Sequence, residues 1–326
     1  MSDKKELKRQ LKEQKKLEKQ IKKIEAMPSK YNSIKKPTNV LFNAILAFLS
    51  FLCVMPFVFV IIISFTDGET LEMNGYRFIP EKLSLYAYQY ILDAGDSILR
   101  SYGVTIFITL VGTVLGVLLI GTYAYALSRK NYAYKKFFTT VITIPMLFGG
   151  GMIANYLIMT QVLHLKDSIW ALILPMCMNS YNIIILRTFF KTSIPDAVVE
   201  SAKIDGASEW RLFFQIVIPM SLPGLATIGL FLTLGYWNDW FNALMYMDDQ
   251  TKIPLQFLLI KIESSMAFLT DSKNNLGLMA DQAVANLPQE TVKMAIVVIS
   301  TLPIIFAYPF FQRYFVNGLT VGAVKE

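Results

Sequence analysis

Six stretches of this 326-residue chain contain no charged residue: 37–66, 101–128, 137–165, 168–186, 212–238 and 294–312. A bilayer core about 30 Å thick needs roughly 20 apolar residues of helix, so each block can cross it, the fourth and last with least margin. Lipid offers the backbone no hydrogen-bond partners, which leaves the α-helix as the form these segments can take. The expected fold is all-α and integral to a membrane, with six transmembrane helices near 40–64, 103–127, 137–162, 168–188, 214–238 and 293–312. Hydrophobic residues make up 54% of the chain and charged residues 17%. That apolar excess sits in the blocks and argues against an ordinary soluble domain. No cleavable signal peptide is expected, because the first apolar block starts only near Val40 and no small-residue cleavage site follows it.

Charge placement orients the bundle. The segments before the first block, between blocks two and three, between four and five, and after six hold 23 of the 31 Lys and Arg but only 10 of the 24 acids. Cationic loops stay in the cytoplasm, so both termini and the 187–212 loop are expected there. Residues 1–37 carry 13 basic and 5 acidic residues, and Leu7, Leu11, Leu17, Ile21 and Ile24 recur at helical spacing. This stretch reads as a basic amphipathic cytoplasmic extension that ends near Pro28. It suits a helix lying on the anionic inner leaflet, or a regulatory or partner contact, and nucleic acid is not an expected target. Residues 38–326 form the transmembrane domain.

Several chemistries lack their residues. Cys53 and Cys177 each sit inside an apolar block and suggest no disulfide or metal site, and the single histidine, His164, falls in a short turn. No Gly-x-x-x-x-Gly-Lys-Ser/Thr loop is present to hold nucleotide phosphates. An ion-coupled secondary transporter would place a charge at the centre of a span, and no block has one.

The loop 187–212 is too elaborate for a connector. Pro195 and Asp196 can start a helix, the run through Ile204 carries Glu200, Gly206 can turn the chain with a positive φ, and Pro219 and Pro223 mark the entry to the fifth block. A short helix, a hinge and a re-entering span make a rigid knob. In register, Glu200, Ala202, Gly206, Ile216 and Pro219 match Glu-Ala-Ala, three residues, Gly, nine residues, Ile-x-Leu-Pro, with Ser201 and Ile218 as conservative departures. This resembles the coupling motif of permease subunits of binding-protein-dependent ABC importers. The runs 237–244, beginning Trp237-Asn238-Asp239-Trp240, and 314–325 are similar to the carbohydrate-uptake branch, and the likeness covers about residues 40–326. Within that branch the chain looks like permeases for complex oligosaccharides or polysaccharides, and more distantly like the smaller maltose permease.

The resemblance implies the type I importer permease fold in a prokaryotic cell membrane, and a role in moving an oligosaccharide rather than catalysis. A non-sugar solute is the alternative. It implies as partners a second homologous permease, a cytosolic ATPase dimer that holds ATP and Mg, and an external solute-binding protein. This chain itself would bind no cofactor. Glu200, Ser201, Ala202, Asp205, Gly206, Ala207 and Pro219 would couple to the ATPase, and the tail with Gly318, Thr320, Gly322 and Val324 would reach between its subunits. Polar residues in spans are costly unless they face a cavity or another helix. Asn155, Tyr156, Gln161, Asn179, Tyr181 and Asn182 are therefore expected either to line the solute path or to join helices. Tyr236, Trp237 and Trp240 could stack on sugar rings or belong to an interfacial belt.

Overall fold

A computed structural model describes residues 36–93, 95–276 and 289–323. Most of the basic extension, residues 1–35, lies outside the described residues, as does Val324. The chain divides into two compact units, Met1–Phe59 and Val60–Glu326. Among the described residues the structure is helical, with one isolated bridge between Thr66 and Leu83 as its only extended pairing.

Helix α1 (Lys36–Ser64) runs unbroken from the first unit into the second. Two short helices follow, α2 (Gly68–Asn74) and α3 (Tyr86–Asp93), and then the 34-residue α4 (Gly95–Ser128). The third expected span, 137–162, is not one helix. It is split into α5 (Lys135–Leu147) and α6 (Gly151–Leu157), the latter continuing as a π-helical turn over Ile158–Val162. Pro145 removes a backbone donor near the end of α5, Phe148 is extended, and Gly151 adopts φ +76°, a conformation that glycine takes without a Cβ penalty. A Cβ on Gly149 or Gly151 would meet no atom within 4 Å, so this glycine run breaks the helix rather than allowing close packing.

The fourth expected span falls on two helices, α7 (Trp170–Cys177) and α8 (Ser180–Ser193), bent by 47°. Asn179 stands in the break and its side-chain oxygen accepts hydrogen bonds from the backbone N–H of Tyr181 at 2.9 Å and Asn182 at 3.3 Å, which caps α8. The loop helix α9 (Asp196–Ile204) precedes α10 (Glu209–Leu212), a π-helical turn over Phe213–Val217, and α11 (Ile218–Met220). This run meets α12 (Leu222–Trp237) at 84°. After α13 (Phe241–Tyr246) come α14 (Leu255–Leu276) and the 35-residue α15 (Gln289–Ala323). Among the described residues three helices are long and apolar enough to cross a membrane, or up to five elements if each bent pair is one span.

The main core collects Ile120 and Leu127 of α4, Leu172 and Ile173 of α7, Leu186 and Phe190 of α8, and Ile228 and Tyr236 of α12, all within 2% of full burial. Glycines set the approach of α12 to α4. A Cβ on Gly112 would overlap the Tyr236 ring, and one on Gly116 would lie 2.8 Å from Leu232 Cδ1 and 3.1 Å from the Cys177 carbonyl oxygen. Small residues four apart let membrane helices come this close, where dispersion replaces the hydrophobic effect as the packing force.

A second cluster joins α3, α14 and α15 through Ala87, Leu255, Val292 and Ala295. Pro303 inside α15 has no N–H for the Ile299 carbonyl. The Tyr102 hydroxyl donates to that oxygen at 2.6 Å, and the Trp237 indole donates to the neighbouring Ser300 carbonyl at 3.0 Å. The carbonyl that Pro303 leaves without its helical donor is thus satisfied by a side chain from α4, as a low-dielectric setting requires, and its neighbour takes a further bond from α12.

Candidate functional site

Helix α9 begins at Asp196, one residue after an extended Pro195, and ends in a tight motif. Gly206 takes φ +79°, its N–H donates to the Lys203 carbonyl at 3.0 Å, and the Ala207 N–H donates to the Ala202 carbonyl at 2.9 Å. This is the Schellman arrangement, in which a left-handed residue after the helix lets two otherwise bare carbonyls be paired. Nothing lies within 4 Å of where a Gly206 Cβ would stand, so glycine is demanded by φ and not by space.

Two faces of α9 differ. Val199 is buried, and Ala202 and Ala207 pack against the main core. Glu200, Ser201, Asp205 and Gly206 are exposed, along with Pro219 further on, with Glu200 at the rim of a cavity that Val199, Asp196 and Lys203 also line. Ile204 is 87% exposed and Trp210 67%, and the Trp210 ring stacks on Phe214 at 6.0 Å. Large apolar side chains are thus held in the open beside acidic ones. Neither Ile204 nor Trp210 stands out in the sequence, because each is one apolar residue in a mixed run, and only the turn at Gly206 puts both outside.

Polar bridges tie α9 to its surroundings. Lys130 Nζ is 2.6 Å from Asp196 Oδ2, and Lys203 Nζ is 2.6 Å from Glu209 Oε1. The Tyr125 hydroxyl donates to Glu209 Oε2 at 2.6 Å. The hydrogen bond from Lys130 holds the Asp196 carboxyl below the usual carboxylate range, so it stays ionised in the cell and favours the start of α9.

The polar residues picked for a solute path are dispersed. Asn155, Gln161 and Tyr181 are exposed, Asn182 is buried, and Asn179 caps α8. Tyr156 stacks on Tyr246 with ring centroids 6.1 Å apart. Tyr236 is 1% exposed and its hydroxyl donates to the Ile173 carbonyl at 2.7 Å. Trp237 borders a cavity of about 180 Å³ between α4, α12 and α15, alongside Thr109, whose buried hydroxyl has no hydrogen-bond partner among the described residues. Trp240 is 40% exposed and packs edge-on against Phe241. The backbone is helical through Gly318, Thr320 and Gly322. Among the described residues no group of three or more His, Cys, Asp or Glu is placed to hold a metal.

A clasp joins the turn 164–168 to the segment after α13. Asp167, at φ +57°, accepts the backbone N–H groups of Asp248 and Asp249 on one oxygen at 2.6 and 2.8 Å, and Lys166 pairs with Asp248 at 2.6 Å. The hydrogen bonds from Asp249 and Asp248 keep the Asp167 carboxyl low, and the Thr251 hydroxyl and N–H hold Asp249 at about 2. Depressed carboxylates stabilise the fold above their unfolded value of about 3.9 and lose that contribution as pH falls through the folded value. The clasp should therefore hold at neutral pH and weaken as pH falls below about 4 toward the lowered value of Asp167. Asp167→Val, a β-branched residue at positive φ with no acceptor, should lower the melting temperature in detergent by several degrees at pH 7, and Asp167→Asn by less. Equal melting temperatures for Asp167→Val and wild type would remove the clasp's significance.

Residues 112–321 match the family model described as "Binding-protein-dependent transport system inner membrane component". The chain is 38% identical over 287 residues to the polygalacturonan/rhamnogalacturonan transport system permease protein YtcP of Bacillus subtilis, covering 88% of this chain and 98% of that one. It is 40% identical over 272 residues to protein LplC of the same organism, covering 83% and 89%. Its fold is similar, with a TM-score of 0.71 and 29% identity, to a chain in the crystal structure of a bacterial ABC transporter involved in the import of the acidic polysaccharide alginate, over 89% of this chain and 99% of that chain. With the family matched over most of its length and its helical architecture shared with such an importer, the chain belongs to the inner-membrane permease components of binding-protein-dependent transport systems.

Proposed function

We propose that this permease carries a carbohydrate, an oligosaccharide handed over by an external solute-binding protein, into a prokaryotic cell across its plasma membrane. The observation that carries the energetic half of this reading is α9, a short helix with a packed inner face and an outer face of Glu200, Ile204 and Asp205 ahead of Trp210. Such a knob fits a groove on a cytosolic ATPase. The sugar half rests on relatives whose names specify polygalacturonan and rhamnogalacturonan, and arabinooligosaccharides.

In the working complex this chain pairs with a second, homologous permease above two ATPase copies that hold ATP and Mg. Six spans cross the membrane, the split 135–162 segment and both bent pairs included, with both termini and the 187–212 loop in the cytoplasm. ATP closes the ATPase dimer and draws the two coupling helices together. The spans then swing from inward-open to outward-open as the binding protein releases its sugar, and hydrolysis resets them. Energy enters through α9, since tight packing of Val199 and Ala202 onto the core leaves a displaced helix little room to move without moving the core.

The test is uptake by proteoliposomes of the complex purified with its operon neighbours, offered a panel of neutral and uronic-acid oligosaccharides with and without ATP. ATP-dependent uptake of at least one member is expected. Uptake driven by an ion gradient without ATPase, or of non-sugar solutes alone, would overturn the reading. The C-terminal tail offers a second check. Cysteines at Thr320 or Val324, in a background without Cys53 and Cys177, should crosslink to the ATPase in a pattern that changes with ATP. An intact complex with no crosslink in either state would leave the tail free in the cytosol.

A further inference from the structure

The hinge that shapes the coupling loop poses a mechanical problem. Between α9 and α10 the chain turns through Gly206 at φ +79°, and a glycine corner bends easily. Beside the core contact of Val199, a cavity of about 460 Å³ lined by Tyr125, Lys130, Asp196, Lys203 and Glu209, among others, opens between the charged edge of α9 and the end of α4. Force leaving α9 along the chain must cross that corner, and force leaving its charged edge must cross that gap.

One carboxylate does both. Glu209 Oε1 takes Lys203 Nζ at 2.6 Å, bridging the two sides of Gly206 with side chains 47% and 58% exposed, a pair that orients Glu209 but adds little stability by itself. Glu209 Oε2 takes the Tyr125 hydroxyl at 2.6 Å, pinning the corner to the last turn of α4. The other bridge across the gap, Lys130 to Asp196, joins side chains 74% and 50% exposed. Exposed ion pairs of that kind contribute little. Tyr125, in contrast, is 8% exposed, packed against Phe213 with ring centroids 5.3 Å apart, and donates to an ionised acceptor, which makes for a stronger and better-oriented bond.

Beyond Glu209 the chain is built as a lever. The run Glu209–Met220 contains the π-helical turn Phe213–Val217 and ends in the 84° bend to α12. At that bend Ser221 is fully buried and, among the described residues, its hydroxyl has no partner, while its N–H still donates to the Val217 carbonyl at 3.0 Å and its carbonyl accepts from Leu225 at 3.0 Å. Local π turns and unsatisfied groups mark points where a helix deforms.

We propose that Glu209 is the clasp that delivers movement of α9 to α4 and to the lever ending at Ser221, with Tyr125 and Lys203 as its two anchors. This rests on the reading of α9 as the coupling helix. All three are positioning residues: they touch neither nucleotide nor solute, and they set how much of the ATPase stroke reaches the spans. Their loss uncouples hydrolysis from transport instead of stopping either outright.

The experiment uses the complete reconstituted complex and a labelled galacturonan oligosaccharide mixture as the transported probe, reading sugar moved per ATP hydrolysed and ATPase retention on the permease. Tyr125→Phe removes one hydroxyl and keeps the ring. It should keep the ATPase attached and hydrolysis within about twofold of wild type, while sugar moved per ATP falls about fivefold. Glu209→Ala should fall further, and Glu209→Gln, which can still accept from Tyr125, should recover part of the loss. A wild-type ratio in both Tyr125→Phe and Glu209→Ala would overturn the clasp, and if Glu209→Ala does not assemble, Tyr125→Phe decides alone. Gly206→Val separates the two readings. Wild-type uptake by that variant sinks α9 as the coupling helix, whereas an inactive Gly206→Val beside a fully coupled Tyr125→Phe sinks only the clasp.

Discussion

Gly206→Val and Glu200→Lys are each expected to abolish uptake while the permease remains in the membrane. At Gly206 the cause is conformational. The residue closes α9 at φ +79°, and a β-branched side chain there costs about 1–3 kcal/mol of strain. The chain can relieve that strain by giving up the hydrogen bonds from Gly206 and Ala207 to the carbonyls of Lys203 and Ala202, which unravels the end of α9. The Lys203–Glu209 pair would also lose its register. At Glu200 the cause is electrostatic: the exposed carboxylate stands at the rim of the cavity that Lys130 and Lys203 also line, so a lysine there crowds those cations and turns an attraction for a cationic partner into repulsion. Both variants should show wild-type permease in membrane fractions and a reduced yield of co-purified ATPase. Normal uptake by either one would remove α9 from the coupling path.

Gly112→Val should have an effect of comparable size by a different route. The Cβ alone would overlap the Tyr236 ring, and that ring cannot step aside. It is 1% exposed, and its hydroxyl is engaged with the Ile173 carbonyl at 2.7 Å and Cys177 Sγ at 3.4 Å. Overpacking a filled core costs about 1–3 kcal/mol, occasionally more, and here it would also push α12 off α4 along the Gly112–Gly116 face. Loss of monodisperse protein in detergent, or a melting temperature lowered by several degrees, is expected. Adding Tyr236→Leu should restore part of it by making space, at the cost of the hydroxyl's hydrogen bond. If Gly112→Val melts and transports like wild type, the α4–α12 contact is looser than described.

Gly224 belongs to the same class of site, since a Cβ there would lie 2.7 Å from Phe189 Cδ1 of α8. These glycines went unremarked in the sequence for a physical reason. Gly112 and Gly116 have the small-xxx-small spacing, but spacing alone does not say which helix approaches that face, and a ring from residue 236 cannot be inferred from residues 112–116.

What the sequence by itself determined rests on one-dimensional physics. Uninterrupted apolar runs must satisfy their backbone as helix, so helices lie over 40–64, 103–127 and 293–312, and a glycine following the helical run through Ile204 is where a left-handed corner is cheapest. What only the tertiary structure decided depends on where distant groups meet. Breaks at Phe148–Gly150, the 47° bend at Asn179 and the 84° bend at Ser221 cut three expected spans into pieces, although composition alone makes each read as continuous. The donor that covers the carbonyl left bare by Pro303 comes from Tyr102, 197 residues from its acceptor, and Trp237 reaches the next carbonyl from 63 residues away. The bond from Tyr125 to Glu209 spans 84 residues. Periodicity records what each segment does with its own backbone and faces; which of those faces touch, and therefore which polar groups are paired, is set by packing that no local window contains.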